Sequence, residues 1–116
     1  MANVQTLCSV FKQNLLKGVE NFNTGTPYTY KIALYTALAN LDASTTTYSS
    51  SNEVTGTGYT AGGKTLTPIA PGLTDTTAFV SFNNVTWSSA SFTANSALIY
   101  NATTGAAVCV LNFGSD

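Results

Sequence analysis

The spacing of apolar residues changes once along this chain, close to residue 23. Before that point Val4, Leu7, Cys8, Phe11, Leu15, Val19 and Phe22 recur at three- and four-residue steps, while Gln5, Ser9, Lys12, Gln13 and Lys17 fill the opposite face. That period predicts one amphipathic helix over about residues 3 to 20, capped by Asn3 and ended by the cluster Asn23-Thr-Gly-Thr-Pro27. An apolar stripe needs a partner. Two are open: the domain's own sheet, or a neighbouring subunit on which residues 1 to 22 dock as an arm.

After residue 28 the period is two. Residues 28 to 36 place Tyr30, Ile32 and Leu34 on one face and Thr29, Lys31 and Ala33 on the other, which predicts a strand with one buried side. Residues 37 to 51 lose the pattern. Leu38 and Leu41 anchor a short turn there, and the hydroxyl run from 44 to 51 is too polar to order itself, so a mobile or partner-ordered loop is expected. Residues 64 to 69 predict a short strand that Pro68 and Pro71 end or confine to an edge, followed by a turn over 72 to 76. A strand over 77 to 82 breaks at Asn83-Asn84 and resumes briefly at 85 to 87. The strongest pair is 91 to 100 with 106 to 113, joined by Ala102-Thr-Thr-Gly105. Turn signals about every 8 to 12 residues predict a mainly β fold, an antiparallel β-sandwich of jelly-roll-like form with one N-terminal α-helix. The expected organisation is a single domain, 1 to 116, with 1 to 22 as helix or arm and 28 to 116 as sandwich.

Between the two best-patterned regions lies the glycine segment 52 to 66. Within it Gly58-Tyr-Thr-Ala-Gly-Gly-Lys-Thr65 matches the phosphate-loop pattern G-x-x-x-x-G-K-[ST]. That pattern binds phosphate when a buried strand delivers the loop and a helix leaves it. Here a polar run precedes it, and Pro68 and Pro71 forbid a following helix. The segment therefore reads as structural: Gly56, Gly58, Gly62 and Gly63 for tight turns, with Tyr59 closing over a core edge.

The segments Lys31-Ile-Ala-Leu-Tyr-Thr36, 48 to 66, Ala97-Leu-Ile-Tyr-Asn101 and Val110-Leu-Asn-Phe-Gly114 resemble a family of small virion structural proteins of tailed bacteriophages. The likeness runs in order from about residue 28 to the end. It implies a virion component made in the host bacterial cytoplasm. Members of that family continue past the Phe113-Gly114 position with strand-like sequence, whereas this chain stops at Asp116, so an open last sheet edge, or one covered by a neighbouring subunit, is expected.

Composition narrows the class further. Only 8% of residues are charged, against a usual value of about 25%. There is no Arg or His and the net charge is −1, which excludes nucleic acid as a main partner and a His-based nucleophile or metal site. The five acids, Glu20, Asp42, Glu53, Asp75 and Asp116, fall in five segments, so no catalytic residue, cofactor or metal is expected and the protein reads as a non-enzyme. No stretch is long and apolar enough for a membrane span, and the start lacks a secretion signal.

A small, charge-poor domain suits many copies packed on a lattice. The expected role is a capsid decoration or cement protein of the phage virion, whose partners are the major capsid protein and copies of itself as dimer or trimer. A tail or tail-tip component and a host-surface carbohydrate-binding module are the alternatives. The last would stack sugars on Tyr35 or Tyr48, whereas Tyr30 and Trp87 read as core. Glu53 reads as a surface acid, a partner of Lys64 or an intersubunit bridge; Cys8 and Cys109 read as buried thiols, or as a disulfide.

Overall fold

The computed structural model describes residues 3 to 23, 28 to 83, 85 to 88 and 90 to 113, without the Ala70 side chain. Parts of two predicted breaks, 24 to 27 and Asn84, and residues 114 to 116 lie outside these. The fold is mainly β, with two antiparallel sheets and one helix. In chain order the elements are β1 (Thr6–Leu7), α1 (Ser9–Lys17), β2 (Tyr30–Tyr35), β3 (Lys64–Leu66), β4 (Pro68–Thr74), β5 (Thr77–Phe82), β6 (Ser96–Asn101) and β7 (Ala107–Asn112). Five strands form one sheet in the order β1-β7-β6-β2-β3, and β4 and β5 form a second, two-stranded sheet among the described residues.

The sheet is built on β2 and β6, which pair along their whole length from Tyr30↔Asn101 to Tyr35↔Ser96. Paired residues share a face. Tyr30, Ile32, Leu34, Ala97 and Ile99 therefore stand on one side, and Ala33, Tyr35, Ser96, Leu98 and Tyr100 on the other. β2 was expected to bury one side, but Tyr30, Ala33, Leu34 and Tyr35 are all buried. An interior strand of a sheet covered on both faces has no polar side to spare. Phe22 stacks on Tyr30 at 4.4 Å and covers the first face, and Tyr48 stacks on Tyr100 at 4.6 Å over the second. Each large side chain so buried stabilises by about 1.5–3 kcal/mol.

The helix is shorter than its stripe. Residues 3 to 8 are extended, and β1 runs along β7 with Thr6↔Val110 and Leu7↔Cys109. The outer edge of β7 thus takes its partner from the same chain, because unpaired strand amides and carbonyls are costly and these residues lie within reach. Asn3 does not cap the helix. It is buried, donates to the Thr36 carbonyl at 3.2 Å and to Asn95 Oδ1 at 3.0 Å, and accepts from the Leu41 amide at 3.0 Å. The N-cap position is Cys8, with no side-chain cap. Gly18 ends α1 at φ 75, its amide donating to the Leu15 carbonyl at 3.1 Å, which only a residue tolerant of left-handed backbone does cheaply.

The loop from 37 to 51 is not left to a partner to order. The Tyr48 amide donates to the Gly105 carbonyl at 3.0 Å and the Ala107 amide to Thr46 at 2.9 Å, so the hydroxyl run is bridged to the β6–β7 connection. Burial pressure alone did not predict this, because backbone bonds rather than apolar contacts hold it.

Downstream, Pro68 opens β4 and Pro71 lies inside it, where the register shifts between Ile69 and Gly72. A strand with one partner and a bulge tolerates both prolines. The turn expected over 72 to 76 shrinks to Asp75 and Thr76, with Asp75 at φ 51. β6 starts at Ser96, so 91 to 95 is not strand, and neither is 85 to 87. Phe92 and Trp87 instead pack with Tyr59 over Leu34, Val54 and Ala97.

Candidate functional site

The glycine segment bridges a gap in one sheet edge. β2 pairs with β3 through Tyr30↔Leu66 to Ile32↔Lys64, and further along it meets residue 53 through Tyr35↔Glu53. Residues 55 to 63 form the excursion between these two contacts. Gly63 returns the chain onto β2 so closely, at φ 78, that a Cβ there collides with the Ile32 carbonyl. Tyr59 fills the gap, its hydroxyl accepting from the Leu34 amide at 2.9 Å where a strand neighbour would otherwise accept. The expectation that Tyr59 closes over a core edge matches this placement.

Glu53 organises the excursion. It is 8% exposed, so it is not a surface acid. Its Oε1 accepts from the Tyr48 hydroxyl at 2.5 Å; its Oε2 accepts from the Tyr59 hydroxyl and from the Gly62 amide, the latter at 2.8 Å. The Tyr100 hydroxyl donates to the Gly62 carbonyl at 2.7 Å. Burial first, and then donation to the carboxylate, raise both the Tyr48 and Tyr59 hydroxyls well above the ordinary tyrosine range, so both stay protonated as donors. The sequence signal was a lone acid between Tyr48 and Tyr59 in a polar run. Lys64 is not its partner: Nζ donates to the Thr86 carbonyl and lies 5.6 Å from the Trp87 ring centroid.

This geometry bears on the phosphate-loop match. The segment is followed by strand β3 rather than a helix, and the Gly62 amide is already committed to a carboxylate. A carboxylate at a loop amide occupies the place of an anionic ligand.

The remaining expected site residues are dispersed. Tyr35 is no sugar platform: it is 1% exposed and its hydroxyl donates to the Ser49 carbonyl at 2.6 Å. Tyr48 is engaged by its ring with Tyr100 and by its hydroxyl with Glu53. Tyr30 is core, as expected, and Trp87 is a half-buried lid over the second cluster. Cys8 and Cys109 are free thiols, and burial pushes both up to about 11, so neither is a ready nucleophile at neutral pH. Among the described residues no group of three or more His, Cys, Asp or Glu side chains is placed to hold a metal ion, and no helix is long and apolar enough to cross a membrane.

No family model, curated protein or solved structure matches this chain.

What stands out on its surface is the β4–β5 hairpin. From 77 to 81 every residue of β5 is exposed, and Leu73, at 71% exposure, Phe79 and Val80 offer apolar surface. Phe79 lies across from Gly72, its ring filling the space where a Cβ would stand. Between the hairpin and α1 runs an open groove of about 420 Å³, lined by Leu7, Phe11, Leu15, Phe22, Pro71, Ala78, Phe79 and Val80. Every described side chain that lines it is apolar. The sequence left an N-terminal docking arm as one of two open readings and predicted the strands and turn of this hairpin without giving it a contact role; the signal for one was an apolar alternation around Gly72 and Asp75 with a single charge between 67 and 83.

Proposed function

We propose that this protein is a structural subunit of a bacteriophage virion, a decoration or cement protein that sits in many copies on the outside of the head and stabilises it. The observation that carries the reading is the hairpin, an apolar, nearly uncharged projection whose large side chains are open to solvent in the single chain. Contiguous exposed apolar surface of this kind marks an interaction site. The charge-poor surface and the resemblance of four segments to phage virion proteins support the same class.

The finer fold reading belongs with this function. The hairpin lies against the Tyr30 face through Phe82 and Phe22, whose ring centroids are 5.9 Å apart, and we read it as the stub of a second, jelly-roll-like sheet. A second copy completes that layer by laying its own hairpin into the groove beside α1. Charge favours this occupant: the hairpin carries only Asp75, at its turn, and α1 carries the exposed Lys12 and Lys17. A two-fold contact uses each surface twice and closes the assembly.

Light scattering on the purified protein is expected to find dimers that Leu73→Asp with Phe79→Asp converts to monomers. Burying two unpaired carboxylates in an apolar contact weakens association at least about a hundredfold. The melting temperature of the monomer should stay within a few degrees of the parent, because both side chains are exposed. A parent protein that is monomeric at its highest soluble concentration would rule out the self-contact.

A further inference from the structure

A second concavity lies on the other side of the sheet. Tyr30 faces the hairpin, whereas Tyr35, an odd number of residues along the same strand, faces the opposite way. Over Tyr35 opens a pocket of about 260 Å³, with Tyr35, Ala39 and Leu41 as its floor and hydroxyl and amide side chains around its rim. Among the described residues that line it, none is charged. We infer that this pocket is a binding site for one neutral sugar unit, on the face of the subunit turned away from its assembly contact.

Four observations carry the inference. The first is that the site is built before any ligand arrives. Tyr35 holds the Ser49 carbonyl, the Thr36 amide and hydroxyl hold the Asn52 carbonyl at 3.0 and 3.2 Å, and Thr47 bridges to Ala106. Asn52 is itself fixed at φ 61, with Nδ2 donating to the Leu38 carbonyl at 3.3 Å. Preformed walls spare the ordering cost of binding.

The second observation is spare hydrogen-bonding capacity. The Asn40 amide and the Thr47 and Ser51 hydroxyls line the pocket and hold no hydrogen bond to another described residue. Together they offer both donors and acceptors, which is what a ring of hydroxyls needs. The third is the missing charge. A phosphate, sulfate or carboxylate ligand would lose water with no cation among the described lining residues to meet it, so the pocket favours uncharged ligands. The fourth is size. Ligand pockets span about 300–1,000 Å³, and this one falls just below that range, enough for a single pyranose ring and not for a nucleotide or a peptide. The floor of Ala39 and Leu41 offers an apolar contact to the C–H face of such a ring. Recognition here rests on rim hydroxyls and amides, not on the aromatic stacking that the carbohydrate-binding alternative would place on Tyr35 or Tyr48.

The test is a titration of the ¹⁵N-labelled full chain with glucose, galactose, mannose and N-acetylglucosamine, each also as its methyl glycosides. At least one neutral sugar should shift the amides of Asn40, Thr47, Ser51 and Asn52 saturably, with a dissociation constant on the order of 1 mM for so small a site. Binding of the methyl glycoside as tightly as the free sugar identifies the terminal unit of a glycan as the ligand; rejection of it identifies a free monosaccharide. Asn40→Ala with Thr47→Val, both exposed rim positions, should weaken binding about tenfold and leave the melting temperature unchanged. Glucose 6-phosphate and glucuronate should bind more weakly than glucose. The inference is overturned if no neutral sugar gives a saturable shift, if the shifts map elsewhere, if the double variant leaves affinity intact, or if the charged sugars bind more tightly.

Discussion

A chain that begins at residue 23 is expected not to fold. Residues 3 to 22 supply Cys8, Phe11 and Phe22 to the main buried cluster. Phe22 is its aromatic centre, stacked on Tyr30 and edge-on to Phe11 at 5.7 Å and to Phe82 at 5.9 Å. Losing two such phenylalanines costs about 3–5 kcal/mol each, which already approaches the 5–15 kcal/mol that holds a typical domain together. The deletion also strips the outer edge of β7 and removes Asn3, whose side chain ties residues 36, 41 and 95. Near-ultraviolet circular dichroism should be flat and thermal unfolding non-cooperative. A truncated chain that still melts cooperatively near the parent temperature would make the segment a detachable arm after all.

Glu53→Ala should be the most damaging single side-chain truncation outside the apolar core. It leaves the Tyr48 and Tyr59 hydroxyls and the Gly62 amide without their acceptor, and bonds to a charged acceptor contribute about 1.5–3 kcal/mol each. The bonds are coupled, so the loss is less than their sum, about 3–5 kcal/mol. Glu53→Gln keeps one acceptor oxygen and should cost about 1–2 kcal/mol. Urea denaturation at neutral pH reads both, through a lower midpoint at constant slope. A Glu53→Ala variant within about 1 kcal/mol of the parent would mean that the glycine excursion holds itself without the carboxylate.

These residues also mark what sequence could and could not disclose. β2, β5, β6 and β7 were legible because period-two alternation is local, and Tyr30 declared itself core through its neighbours Ile32 and Leu34. The helix was overdrawn at its start because Val4, Leu7 and Cys8 satisfy a helical spacing, while the demand that turned them into an edge strand comes from β7, a hundred residues away in the chain. Glu53 was misread for the same reason. A lone acid in a polar run is usually solvated, and only the fold brings Tyr48, Tyr59 and Gly62 around it. The extent of β4 escaped because Pro68 and Pro71 are strand breakers in any sheet interior. They are tolerated here because β4 has one partner and a bulge.

The most direct measurement of the central claim is the copy number of this chain in purified virions that contain it, by quantitative mass spectrometry against the major capsid protein. A decoration or cement protein that covers the head lattice through two-fold contacts is expected at on the order of hundreds of copies per particle. A count of about three to twelve, the multiplicity of tail rings and tips, would contradict the capsid assignment and move the protein to the tail.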